Sequence, residues 1–312
     1  MDTGQGRARV LIAAAAFLIC GAAVQSQLPL REARWSQADD LASDLTHQPA
    51  ECLAWPKDRA MRTSAEIGRV MFHAPLLLGG QAARAGLSCS SCHRNGRTNP
   101  NFHFPGISGD PGTADVTASI MSEHRGDGIF NPKPIPDLGG DASKLKVKGT
   151  PKLRDFIHGL ITQEFDGPEP SPAVLDGLVA YVSALSPEAC GAPAQQAITL
   201  SSLLEVVDDA TRLAEQSYKS GDRATGRALI GAARSTLGAI DERFQLEGGE
   251  QSRALLRDAD SELKQVELAD STSPPMFAAW RESWPKRKAE LRTAEPRSLF
   301  SQRLLQRAIG AR

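Results

Sequence analysis

The sequence predicts an all-α protein made of two consecutive parts. Up to about residue 195, short helical patterns alternate with long stretches rich in glycine, proline and asparagine. From residue 196 onward, apolar residues recur at helical spacing over long segments. The chain has 312 residues, of which 41% are hydrophobic and 23% charged, as is typical of a soluble protein with one or two domains. A formal net charge of −1 gives no indication of a nucleic-acid partner.

The first residues have the pattern of a secretory signal peptide, which we place at residues 1–26. Arg7 and Arg9 precede an apolar run from Val10 to Cys20, and small residues follow. This run is shorter than the roughly 20 residues that a membrane-spanning helix needs. We therefore expect cleavage, with a retained membrane anchor as the alternative. Both outcomes export the remainder of the chain, and a periplasmic location is predicted.

One ten-residue stretch carries the chemistry of the first part. Residues 87–96 read LSCSSCHRNG, so Cys89 and Cys92 are separated by two residues and His93 follows directly. A structural zinc site usually needs a second Cys or His pair at matching spacing, which the sequence lacks. A thioredoxin-like redox pair needs a preceding strand in a βαβ context, and the pattern here is helical. In an exported protein, Cys-x-x-Cys-His is typical of covalent haem attachment.

The haem interpretation assigns a role to each residue of the motif. Thiols one helical turn apart add to the two vinyl groups of one haem c, which makes Cys89 and Cys92 the attachment residues. His93 then becomes the proximal ligand of the iron. Short helices and long loops around one haem describe a cytochrome c-like haem domain, which we place at residues 27–195, with a C-terminal helical bundle at 196–312.

The sixth ligand of the iron has several candidates. Met121 ranks first, because methionine is a frequent partner of histidine in electron-carrying haems. His124 ranks second and His158 third, and the sequence also offers His103 and His73. An open coordination position is the remaining alternative.

The other cysteines predict a disulfide. Loss of the signal peptide removes Cys20 and leaves Cys52 and Cys190 outside the haem motif. Unpaired thiols rarely persist in an oxidising compartment, so we expect these two to be bonded. Their separation of 138 residues (190 − 52) would close a long loop.

The second part predicts an antiparallel helical bundle without a catalytic constellation. Its first helix has an apolar stripe formed by Leu200, Leu203, Leu204, Val207, Ala210, Leu213 and Ala214. Residues 281–312 contain nine Lys or Arg and three Glu, a balance of +6 (9 − 3). The terminal basic helix predicts either packing on the bundle or peripheral contact with an anionic membrane or an acidic redox partner.

Four segments resemble one known family. GRVMF, LSCSSCHRNGR, GTPKLRD and EFDG, between about Ile67 and Leu185, are similar to segments of the bacterial di-haem cytochrome c peroxidases and of their relatives that build tryptophylquinone cofactors. That family carries two haem motifs and this chain carries one, so the resemblance implies a truncated, mono-haem relative. The leading function is one-electron transfer with a redox partner protein. The alternatives are a haem peroxidase-like enzyme with an open distal site, and a haem-based sensor or scaffold.

Overall fold

Helices make up most of the structure, which is a computed structural model of the chain and describes residues 28–36, 41–118, 120–140, 147, 150–190, 195–269 and 275–310. The prediction of an all-α protein is confirmed at this level. The predicted signal peptide lies outside the described residues. The α-helices of the described ranges are α1 (Leu41–Asp44), α2 (Arg59–Phe72), α3 (Gly80–Ala85), α4 (Cys89–Cys92), α5 (Thr150–Gly159), α6 (Pro172–Ala184), α7 (Leu200–Lys219), α8 (Arg223–Arg243), α9 (Glu250–Leu268), α10 (Pro275–Ala294) and α11 (Gln302–Gly310).

Three small antiparallel ribbons connect distant parts of the chain. The strands are β1 (His47–Pro49), β2 (His93–Arg94), β3 (Arg97–Thr98), β4 (Thr113–Ala114), β5 (Lys133–Pro134) and β6 (Gln195–Ala197). They pair as β1 with β6, β2 with β3, and β4 with β5. The β2–β3 hairpin begins at the histidine of the motif, where His93 lies opposite Thr98. Loop segments on both sides of the motif are therefore held by backbone pairing.

Helices α2 and α6 cross at very short distance. The Asp58 side chain caps α2 by accepting the Met61 N–H, and Ser171 caps α6 in the same way. Where the helices cross, a Cβ atom added to Gly68 would lie 1.9 Å from the carbonyl oxygen of Gly177. Only glycine at Gly68 allows this backbone-to-backbone contact.

The two predicted parts share one hydrophobic core. Side chains of α2 and α6, such as Val70 and Leu178, belong to the same buried cluster as Leu204 of α7, Leu229 of α8 and Trp280 of α10. The predicted boundary after residue 195 falls inside β6, which pairs with β1 from the first part. The bundle therefore packs directly against the motif region.

The C-terminal helix packs against the N-terminal segment. Leu299 and Leu305 are buried in a cluster with Leu28, Leu30 and other apolar residues from the start of the described chain. The apolar stripe of α11 is thus covered by protein, while its arginines stay exposed. Among the described residues, no helix is long and apolar enough to span a membrane.

Candidate haem-attachment site

The two motif cysteines lie on a single turn of helix. Helix α4 contains only Cys89–Cys92. The turn is stabilised at its start, where the Ser88 N–H donates to Ser91 Oγ at 3.0 Å. Both sulfur atoms are unbonded to other cysteines, and both side chains pack against the same apolar cluster. One turn of helix therefore presents two thiols to one apolar region, as attachment to two vinyl groups requires.

The apolar surroundings strongly affect the two thiols. Burial raises the pKa of Cys89 to about 12, and burial with the neighbouring thiol raises that of Cys92 to about 12. A redox-active Cys-x-x-Cys pair has the opposite property, because its reactivity depends on a thiol pKa held below the ordinary value. The environment of this pair does not fit thiol–disulfide exchange.

The His93 imidazole is oriented by one hydrogen bond. Its Nδ1 lies 3.0 Å from the carbonyl oxygen of Pro136, which can only accept. Nδ1 therefore carries the proton and Nε2 keeps its lone pair, the arrangement found in metal-ligating histidines. Burial lowers the pKa of His93 to about 4, although the Pro136 carbonyl opposes this shift, so the ring is neutral at pH 7.

A short segment holds the Pro136 carbonyl in place. We call residues 135–139 the proximal strap. Its backbone is bound to the β2–β3 hairpin, because the N–H groups of Leu138 and Gly139 both donate to the Gly96 carbonyl, at 3.0 and 3.2 Å. Gly96 has a φ of +79°, and a Cβ atom there would lie 2.4 Å from the Leu185 side chain. At the tip of the hairpin, the positive φ favours glycine, and a larger residue would also have to displace the Leu185 side chain.

Met121 lies in the apolar cluster that contacts both motif cysteines. Its side chain is 1% exposed, and the buried members of the cluster are Trp35, Leu78, Ala82, Leu87, Phe102, Ile107, Met121 and Ile135. The next residue anchors this segment, since Ser122 Oγ donates to the Gln163 carbonyl at 2.6 Å. The first-ranked ligand candidate and the attachment residues are therefore brought together.

The histidine candidates lie elsewhere. The His124 side chain is 68% exposed, and its Nδ1 is 2.7 Å from a carboxylate oxygen of Asp166. His158 makes a similar surface pair with Glu169 at 2.9 Å. Both side chains are therefore engaged by carboxylates at the protein surface. Of these three candidates, Met121 is the one buried in the apolar cluster that contacts Cys89 and Cys92.

Sequence reasoning missed the elements that support the site. Pro136 lies in a proline-rich segment that predicted only an extended loop, and nothing in its local pattern pointed to His93. A π-helical turn at Leu160–Glu164 follows α5 and supplies the carbonyl that anchors Ser122. Such turns are often found at functional sites, but they have no simple sequence signature.

Cys52 and Cys190 are joined by a disulfide in the structure, with their Cα atoms 5.3 Å apart. Next to them, Leu53 forms a β-bridge with Leu185 near the end of α6. With their sulfur atoms bonded to each other, these cysteines are not ligands for a metal held by Cys89 and Cys92. In the described part of the chain, no three His, Cys, Asp or Glu side chains converge to hold a metal ion.

No family model, curated protein or solved structure matches this chain. The resemblance to di-haem cytochrome c peroxidases therefore stays a prediction from the quoted segments.

Proposed function

We propose that the protein is an exported mono-haem c-type cytochrome that transfers single electrons through one covalently bound haem c. The observation that carries this proposal is that Cys89, Cys92 and Met121 meet at one apolar cluster, while His93, which directly follows Cys92, keeps Nε2 available. Two thiols would attach the porphyrin covalently, and one neutral imidazole and one buried methionine thioether would serve as iron ligands, a set that fits haem c.

Each residue has a defined task in this proposal. Haem c, when bound, supplies an iron that cycles between the ferric and ferrous states. Cys89 and Cys92 hold the porphyrin, and His93 binds the iron through Nε2. The buried side chains of the cluster exclude water, which lowers the local dielectric and helps to set the reduction potential.

The position of Met121 favours an electron carrier over the two alternatives. A peroxidase-like enzyme or a gas sensor needs an open coordination position for its ligand. A methionine thioether buried beside the motif is available to fill that position and would raise the potential. We further propose that the chain is a truncated relative of the di-haem peroxidase family, that it acts in the periplasm, and that its partner is a redox protein.

The first experiment is to express the chain in a host that attaches haem c and to record ferric and ferrous spectra. We expect c-type absorption and the weak far-red band of a methionine-ligated ferric iron. The variant Met121→Leu keeps the volume of the side chain and should remove that band. The matched control is His124→Ala, which should leave the spectrum unchanged.

Three other results would contradict or revise the proposed function. Absence of covalent haem in the wild type contradicts the proposed function. A high-spin wild-type spectrum that shifts on addition of peroxide or cyanide replaces electron transfer with catalysis or sensing. A low-spin wild-type spectrum without the far-red band, unchanged in Met121→Leu and converted to high spin in His124→Ala, would assign the sixth position to His124.

A further inference from the structure

The proximal strap contains one charged contact besides its backbone bonds. Arg97 Nε lies 2.8 and 2.9 Å from the two carboxylate oxygens of Asp137, and its Nη2 lies 2.7 Å from Oδ2. Asp137 directly follows Pro136, the hydrogen-bond acceptor of His93, and Arg97 lies four residues after His93 in the paired strand. The ion pair therefore connects the chain on both sides of the His93–Pro136 hydrogen bond.

The geometry of this pair restricts movement of the strap. A guanidinium that makes several bonds to one carboxylate fixes both distance and orientation, unlike a single-point contact. Asp137 Oδ1 also accepts the Gly139 N–H at 3.1 Å, and this bond closes the turn after Pro136. The Arg97 stem passes close to Gly139, since a Cβ atom there would lie 3.5 Å from Arg97 Cδ. Without the pair, the strap would keep its backbone bonds to Gly96 and the hydrogen bond from Thr98 Oγ1 to the Ile135 carbonyl at 3.1 Å.

We infer that Arg97 and Asp137 are positioning residues that fix the Pro136 carbonyl against His93 Nδ1 and thereby set the donor strength of the iron ligand. This inference rests on the proposed haem function. A strong hydrogen bond from Nδ1–H makes the imidazole a better donor at Nε2, which stabilises the ferric state. Loosening the strap weakens that bond and shifts the redox equilibrium toward the ferrous state.

The sign of the change in reduction potential separates a positioning effect of Arg97 from a simple charge effect. Removal of the positive charge of Arg97 acts through space to stabilise the ferric state and lower the reduction potential. Loss of positioning acts in the opposite direction. The variant Arg97→Gln and the charge-balanced double variant Arg97→Gln/Asp137→Asn are therefore the informative changes.

The experiment measures the midpoint potential of each haem-loaded variant by optical redox titration. We expect the double variant to favour the ferrous form by about tenfold, equivalent to about 59 mV for a one-electron couple. Arg97→Gln should show a smaller shift in the same direction, because the loss of its positive charge opposes the loss of positioning. Arg97→Lys keeps the charge but loses the bidentate geometry, so it should show part of the shift; it also serves as the test if Arg97→Gln does not mature.

The matched control is Arg154→Gln/Asp176→Asn. This pair has a similar 2.8 Å contact on the helical surface between α5 and α6. It should leave the potential unchanged. A lowered or unchanged potential in both Arg97→Gln and the double variant overturns the inference while the haem assignment stands. Absence of covalent haem in the wild type overturns the proposed function itself.

Discussion

The segment around the haem motif, residues 87–140, and the helices α7–α10 satisfy their backbone groups in different ways. In the motif segment, single side chains bind distant backbone: Asn99 Nδ2 donates to the Ser91 carbonyl and Asn95 Nδ2 to the Pro49 carbonyl, both at 2.8 Å. In the bundle, helical hydrogen bonds satisfy most backbone groups, and the starts of α7 and α8 are capped by the side chains of Thr199 and Asp222.

This difference indicates which region tolerates substitution and which region depends on individual residues. The bundle helices bury apolar stripes at helical spacing, and many hydrophobic substitutions preserve such a stripe. The motif segment depends on individual contacts that no neighbouring residue can replace. A loop-rich segment can bring Met121 to the apolar cluster beside Cys89 and Cys92 because its backbone is free of helical periodicity. The shared core then supplies the burial that the loops lack.

The largest expected effect concerns the disulfide, which spans the whole motif region. The chain-entropy model assigns about 4–5 kcal/mol to a loop of this length, so Cys52→Ser/Cys190→Ser should lose a large part of this stability. Urea unfolding measures the loss. Hydrogen exchange should show weaker protection in residues 52–190 than in α7–α10, which would sharpen the contrast between the regions.

The bond itself is tested on the wild-type protein. Alkylation of denatured, unreduced protein should leave Cys52 and Cys190 unlabelled in a peptide map. Labelling of both would contradict the disulfide.

The next effect concerns the crossing of α2 and α6. Gly68→Ala places a methyl group against the Gly177 backbone, and we expect a loss of about 3 kcal/mol, even though alanine favours the helix by about 1 kcal/mol. The control is Gly159→Ala in α5, where a Cβ atom would meet nothing within 4 Å. It should be neutral or stabilising. Equal effects of the two changes in thermal unfolding would show that α2 and α6 do not cross at this distance.

The smallest expected effect is a pH dependence of stability that arises at His73, the residue at the end of α2. Burial lowers the pKa of His73 to about 4 from its ordinary value of 6.5. Because the folded pKa is the lower one, this histidine contributes fully above pH 6.5, and its contribution is lost as the pH falls toward 4. We expect about 2 kcal/mol, after allowance for its partial exposure.

The measurement is urea unfolding of haem-loaded protein at several pH values between 7 and 4, a window set by that shift. His73→Asn removes the titrating ring and should flatten the dependence in this window. An unchanged slope would assign the acid sensitivity to other groups.

Much of the helical structure could be read from local pattern. The apolar stripe from Leu200 to Ala214 predicted α7, and that helix is present. The prediction of a bundle appended to a separate domain missed the shared core. Sequence periodicity shows which face of a helix is buried but not which element covers it.

Sequence by itself determined the helical character of the chain and predicted the chemistry of the motif, because both depend on residues close together along it. Tertiary structure alone decided that Met121 rather than His124 faces the motif, that Pro136 accepts from His93, and that the N-terminal segment covers α11. Each of these depends on contacts between residues far apart in the chain. The free energy of such contacts comes from burial and from paired polar groups, and no local pattern encodes the partner.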